Sequence, residues 1–386
     1  MIYLDNAASA PVNPRALEAA MPFLTENFAN PSSEHTAGRA AALAVIEARE
    51  KCAAALGARP EEIVFTSGGT ESDNLAIFSA ALSSQRNRIV TTLIEHPAVL
   101  NTVRELERRG FEAVYLEPDN EGIVSAESAA AAIDDTTALV SVMTANNEIG
   151  TLQPVGEIGA LCRERGVLFH TDAVQAAGNV PIDLRRLNAD YLSVSAHKLG
   201  GLKGSGLLFV RKGAPLIPMI LGGGQERGLR SGTENTAGIA ALGAALEDAA
   251  RNVSERSARI SALRDMLTER LAAIPGSRLN GSRTARLCGN VNFSFRGVEG
   301  EALVQSLDLA GVCASTASAC SAGKQTVSHV LKAIGTPEEY LDGALRLTLS
   351  EKNTSDEIIT AAEAVRECVE RLRQGRTEYQ NPQKNT

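Results

Sequence analysis

Lys198 and Asp172 carry the first chemistry this chain offers. Lys198 closes the stretch Ser193-Val194-Ser195-Ala196-His197-Lys198, which follows the short apolar run 189–192. Asp172 closes a second run, Val167-Leu168-Phe169-His170-Thr171-Asp172. An amine at the end of a buried strand is partly desolvated, which lowers its pKa and frees its lone pair for a carbonyl carbon. Ligands of an open parallel sheet sit beyond the carboxyl ends of its strands, so both residues are expected to face one crevice. The plain alternative is an ion pair between two strand ends. A lysine for an aldehyde carbon and a carboxylate for a pyridinium nitrogen are what pyridoxal phosphate requires.

A phosphate needs its own cradle. Ser67-Gly68-Gly69-Thr70-Glu71 follows a predicted strand over 62–66 and opens a helix to about Leu82. Glycines let backbone N–H groups approach an anion, the helix N-terminus favours negative charge, and Thr70 adds a hydroxyl. The same residues also read as a capping box, with Ser67 or Thr70 as the cap. A different chemistry is offered by Cys320. The surrounding stretch 314–324 (Ala-Ser-Thr-Ala-Ser-Ala-Cys-Ser-Ala-Gly-Lys) is small and polar. It buries too little apolar area to offset its ordering entropy, so a mobile loop is expected, in which a nucleophilic thiolate can travel. Cysteines 52, 162, 288, 313 and 368 read as ordinary buried thiols.

The elements that must position these residues alternate. Strands are predicted at 62–66, 88–92, 111–116, 139–144, 167–172, 189–192 and 207–210, and helices over 40–56 and from 67 to about 82. Such alternation predicts an α/β fold: a large domain, 16–249, with a mainly parallel sheet of about seven strands flanked by helices. One amphipathic helix is predicted over 251–274. A smaller α/β domain, 250–386 with 1–15, then holds strand 290–295, helix 300–309, the Cys320 loop, strand 344–349, helix 355–373 and a frayed tail. The lone Gly204-Ser205-Gly206 lacks the strand–turn–helix setting of a dinucleotide site.

Composition removes several classes. A net charge of −8 and 4% aromatic residues argue against a nucleic-acid footprint. No apolar run reaches membrane-spanning length, and the first residues are not those of a secretory signal. Six scattered cysteines without a CxxC pair fit a reduced cytoplasmic protein better than a zinc site or a disulfide framework.

The order of motifs sharpens the reading. Tyr3-Leu4-Asp5-Asn6-Ala7-Ala8, His170-Thr171-Asp172-Ala173-Val174-Gln175, the Lys198 stretch, Gly222-Gly223-Gly224-Gln225-Glu226-Arg227-Gly228-Leu229-Arg230-Ser231-Gly232-Thr233 and Ser318-Ala319-Cys320-Ser321 follow one another. Together they resemble the cysteine desulfurases, pyridoxal-phosphate enzymes of the class V aminotransferase fold. The resemblance implies an aspartate-aminotransferase-like fold and catalysis by Lys198, Cys320 and His96. It implies that Asp172 holds the ring nitrogen, Gln175 and Asn147 the ring oxygen, and His96 the ring face. Gly69, Thr70, Ser195 and His197 would hold the phosphate, and Thr233 would reach the phosphate of a neighbouring subunit, which implies a homodimer. Arg346 and Asn147 would bind the carboxylate of L-cysteine. The implied product is L-alanine, with sulfur left as a persulfide on Cys320 for an acceptor such as an iron–sulfur scaffold or a thiolation protein. Two positions depart from the family's usual pattern: Leu202 after the lysine turn, and Glu351-Lys352 after the arginine strand. Alternatives are a selenocysteine lyase, another enzyme of this aminotransferase class, and a sulfur-relay protein without the cofactor.

Overall fold

The computed structural model describes residues 1–316 and 327–380. Cys320 and its expected mobile loop lie outside the described residues, as does the end of the chain past 380. The first half contains β1 (Ile2–Tyr3), α1 (Pro14–Thr25), α2 (Thr36–Leu56), β2 (Ile63–Thr66), α3 (Gly69–Leu82), β3 (Arg88–Thr92), α4 (Pro97–Arg108), β4 (Glu112–Leu116), α5 (Ala126–Ala132), β5 (Thr137–Ser141), α6 (Val155–Arg165) and β6 (Leu168–Asp172). Then come α7 (Leu184–Leu187), β7 (Tyr191–Ser195), β8 (Gly206–Val210), α8 (Thr236–Arg251), α9 (Val253–Ala272), β9 (Ser277–Leu279) and β10 (Asn290–Phe295). The last described elements are α10 (Gly300–Leu309), β11 (Val312–Cys313), α11 (His329–Ala333), α12 (Glu338–Leu341), β12 (Ala344–Thr348) and α13 (Ser355–Gln380).

Among the described residues the main sheet has seven strands in the order β2-β8-β7-β6-β5-β3-β4. Only β8 runs against the others, pairing antiparallel with both β2 and β7. Strands β2, β5 and β7 are short and buried on both faces, as expected where helices cover a parallel sheet on both sides, while the edge strand β4 is only partly buried. The expected α/β architecture is therefore present. A second, antiparallel sheet, β12-β10-β9, packs Phe293, Phe295, Leu345 and Leu347 into a core with α9, α10 and α13. Leu4 belongs to that core and is fully buried, so the N-terminal segment is held by the C-terminal sheet.

Several boundaries differ from expectation for physical reasons. Helix α2 begins at Thr36 rather than 40, because the His35 side chain caps it by accepting from the Gly38 N–H; it ends where Gly57 takes a left-handed φ of 69°. Strand β7 continues to Ser195, and Lys198 ends a single 3-10 turn, Ala196–Lys198, that follows it. Helix α13 runs to Gln380 instead of fraying after Arg373. Arg373 anchors it by donating to the carbonyls of Arg296 (3.0 Å) and Pro275 (2.7 Å).

Candidate active site

A cleft of about 720 Å³ opens at the carboxyl ends of β6 and β7. It brings together Gly69, Thr70, His96, Asn147, Asp172, Gln175, Ser195, His197, Lys198 and Arg346, which is every expected site residue except Thr233 and the undescribed Cys320. Lys198 Nζ donates to the carbonyls of Ala7 (2.6 Å) and Ala8 (2.9 Å), and Gln175 Nε2 donates to the same Ala7 oxygen at 3.1 Å. These carbonyls sit in a turn begun by Asp5, whose own carbonyl accepts from the N–H groups of Ala8 (3.0 Å) and Ser9 (3.3 Å). The N-terminal segment is thus a wall of the cleft.

The turn before α3 is built for close approach. Gly68 caps the helix with no side-chain hydrogen bond and a φ of 152°, so neither Ser67 nor Thr70 is the cap. The Ser67 N–H instead donates to Glu71 Oε2 at 2.8 Å, and Glu71 is paired with Arg230 at 2.8 Å. A Cβ on Gly206 of β8 would lie 2.6 Å from the Gly68 Cα, so this strand can pass behind the turn only as glycine. Thr70, Ser195 and His197 line the cleft beside that helix N-terminus. Burial, then the charges of Lys198 and Lys203, push the His197 imidazole down to about 4, so it is neutral and its Nδ1 lies 3.3 Å from Ser9 Oγ. Unspent helix N–H groups, hydroxyls and a neutral imidazole suit a phosphate.

Behind the cleft lies a group of buried carboxyls. Asp172 accepts from the Val174 N–H at 2.8 Å, and burial, then the charge of Asp73, raise its pKa. Asp73 on α3 is pushed up to about 6 by burial, and Glu95 to about 8, by burial first and then the charges of Asp172 and Asp73. Glu95 Oε1 accepts from Thr92 Oγ1 and the Met143 N–H, each at 2.9 Å, while its Oε2 is buried without a partner. His170 is pushed down to about 4 by burial, so its 3.5 Å approach to Asp73 is made as a neutral ring. An anionic Asp172 in this setting calls for a cation, and a protonated pyridine nitrogen is one. His96 caps α4: its Nδ1 accepts from the Ala98 N–H at 3.1 Å, which places the proton of the neutral ring on Nε2.

Arg346 is 3% exposed, which rules out a place on the solvent face of its strand. Its Nη1 donates to the Asn147 carbonyl at 3.0 Å and its Nη2 to Asp5 Oδ1 at 3.1 Å. Glu148, pushed up to about 7 by burial against the opposing pull of Ser328 and Arg346, accepts a short hydrogen bond from Ser328 Oγ. Thr233 is exposed and does not line the cleft of its own chain. Asp73, Glu95 and the Asp5 contact were not singled out from the sequence. Asp73, four residues into α3 on the same face as Gly69, had the one local signal that could have found it.

The family model "aminotransferase class-V" matches residues 2–360. A relative from Methanosarcina thermophila, cysteine desulfurase IscS, is 48% identical over 96% of this chain and 93% of its own. The chain belongs to the cysteine desulfurase family. Two solved structures agree in fold. A NifS-like protein superimposes with a TM-score of 0.90 at 38% identity, covering 96% of this chain and 99% of its own. SspA, solved in complex with cysteine, gives 0.81 at 38% identity, covering 92% and 100%. Cysteine desulfurases are pyridoxal-phosphate enzymes, and the residues here fit that group: Lys198 for its aldehyde, Asp172 for its ring nitrogen, the α3 turn for its phosphate. Among the described cysteines, burial pushes the thiols of Cys52 and Cys162 up to about 12 and raises that of Cys288, which leaves them poor nucleophiles.

Proposed function

We propose that this cysteine desulfurase takes sulfur from L-cysteine, releases L-alanine, and holds the sulfur as a persulfide on Cys320. The observation that carries this reading is the meeting of Lys198, Asp172 and a buried Arg346 in one cleft. The described chain on either side of Cys320 is tied to the same place. Ser315 exchanges backbone hydrogen bonds with Arg346 (3.2 and 2.7 Å), and Ser328 bonds Glu148.

Pyridoxal phosphate, when bound, supplies an electron sink for the bonds at the substrate Cα. The chain's own residues do the rest. Arg346 holds the substrate carboxylate through its guanidinium fork, with Asn147 fixing the arginine from behind. Lys198 and His96 move protons at Cα and at the ring. The Cys320 thiolate attacks the substrate sulfur; the S–S bond forms as the C–S bond breaks, and its electron pair goes to Cβ, which takes up a proton. The products are alanine and an enzyme persulfide.

Three finer readings belong with this. The active form is a homodimer in which the exposed Thr233 reaches the partner's phosphate, working in the reduced cytoplasm. Residues 16–249 form a cofactor-binding unit, and 250–386 with 1–15 a smaller one; the separate apolar clusters around β7 and β10 support that division. The acceptor is an iron–sulfur scaffold or a thiolation protein. The test of the activity is incubation with L-cysteine and a reductant, with alanine and sulfide measured together. Equal amounts are expected; a keto acid without sulfide would overturn the reading.

A further inference from the structure

We propose that Asp5 sets the enzyme's affinity for amino acids: it is an internal carboxylate that occupies Arg346 between turnovers and competes there with the carboxylates of substrate and product. The inference rests on the reading of Arg346 as the carboxylate clamp. Asp5 Oδ1 lies 3.1 Å from Arg346 Nη2, and the two side chains are 18% and 4% exposed. Asp5 offers the guanidinium the same group that an amino acid brings.

Asp5 holds one of the two terminal nitrogens of Arg346. Nη1 already serves the Asn147 carbonyl, and Nε is buried without a hydrogen-bond partner. An incoming carboxylate that uses the Nη1/Nη2 end of the guanidinium therefore meets the Asp5 carboxylate at Nη2. Asp5 cannot retreat with its backbone. It bridges Thr348, the next Asn6 Nδ2 donates to the Thr348 carbonyl at 2.7 Å, the Ala7 N–H donates to Thr348 Oγ1 at 2.8 Å, and the Thr348 N–H donates to the Leu4 carbonyl at 2.6 Å. Only rotation of its side chain can move the carboxylate, and it stays within a few ångströms of the arginine. Glu148, the buried carboxyl in the field of the same guanidinium, is raised to about 7 by burial and so adds less charge than Asp5. A bound amino acid then brings a carboxylate beside that of Asp5 on one cation, and mutual repulsion at this range weakens its binding. Substrate and product carry the same carboxylate, so the competition also hastens the departure of alanine.

The experiment compares holoenzyme with its Asp5→Asn and Asp5→Ser variants. Three quantities are read: equilibrium binding of L-alanine, kcat and KM for L-cysteine, and binding of cysteamine, which lacks the carboxylate. Both variants are expected to bind alanine about tenfold more tightly and to lower KM by a similar factor, from the loss of one competing charge. kcat should stay level or fall as product leaves more slowly, and cysteamine binding should stay within about twofold. Unchanged or weaker alanine binding in both variants would overturn the proposal, as would an equal gain for cysteamine. Arg346→Lys separates the two readings: parental alanine affinity in that variant would sink the clamp itself, and the Asp5 proposal with it.

Discussion

Protonation at single residues decides what this cleft can do. Lys198 must lose a proton to attack a carbonyl, and the Ala7 and Ala8 carbonyls that hold its Nζ must release it. Lys198→Ala should abolish alanine formation from cysteine while leaving the fold intact; turnover assays and circular dichroism check this. Cys320→Ser should abolish persulfide formation, and mass spectrometry of the parent after cysteine treatment should place the extra sulfur on Cys320. Sulfur on Cys313 would instead name the wrong thiol. Glu95 gives a pH prediction. Its pKa is raised from 4.5 to about 8 in the fold. Between those values the unfolded chain ionises while the native carboxyl keeps its proton, so stability is lost as pH rises through that window. Glu95→Gln keeps the acceptor for Thr92 and Met143 but cannot ionise. Its stability relative to the parent, measured by denaturant unfolding of the cofactor-free chain, should therefore grow from pH 5 to pH 8 by more than about 1 kcal/mol. A constant difference would mean that Glu95 ionises normally.

At the scale of elements, local pattern and long-range contact contributed differently. Strand 290–295 and helix 300–309 were legible to the residue, because alternating apolar positions and a Gly at the helix start are local signals. The Lys198 turn, the Asp172 strand end and the glycine turn before α3 were legible for the same reason. The reversed direction of β8 was not, since a short apolar run carries no direction. Nor was the burial of Arg346, or its pairing with Asp5 and Asn147, because those partners are 341 and 199 residues away in sequence. Asp73 and Glu95 look like ordinary helix and loop carboxyls until the sheet brings Asp172 beside them. A close backbone approach at the wall of the cleft sets a test for β8. Gly206→Ala puts a methyl 2.6 Å from both Gly68 Cα and the Val194 carbonyl oxygen. Two backbone clashes cannot be relieved by a side-chain rotation, so β8 must shift against the α3 turn. A loss of about 1–3 kcal/mol in stability and weaker retention of pyridoxal phosphate are expected, read by thermal unfolding and dialysis. Retention equal to the parent would show that the turn does not hold the phosphate.

At the scale of the molecule, Thr233 faces outward while the other phosphate-binding candidates line the cleft. Phe28 (81% exposed), Leu221 (82%) and Ile220 lie uncovered on the single chain, apolar surface that a symmetric partner can bury. A dimer is expected in sedimentation, and Thr233→Ala should release cofactor more readily by about tenfold without splitting the dimer. A fully active monomer would contradict both.

The attachment of the first residues to the last sheet has a consequence for the birth of the enzyme. Ile2 pairs with Val312, and Asn6 bonds a residue 342 positions further along. During synthesis, the segment that supplies the Asp5 carboxylate and the Ala7 and Ala8 carbonyls lacks its Arg346 and Thr348 partners until position 348 has emerged from the ribosome. At translation rates of about 5–20 residues per second it waits tens of seconds, while the earlier strands can already pair. The reactive lysine and the arginine therefore acquire their setting last. A nascent or prematurely terminated chain can form the strands and the phosphate turn, yet it lacks the means to release sulfide into the cell before its assembly is complete.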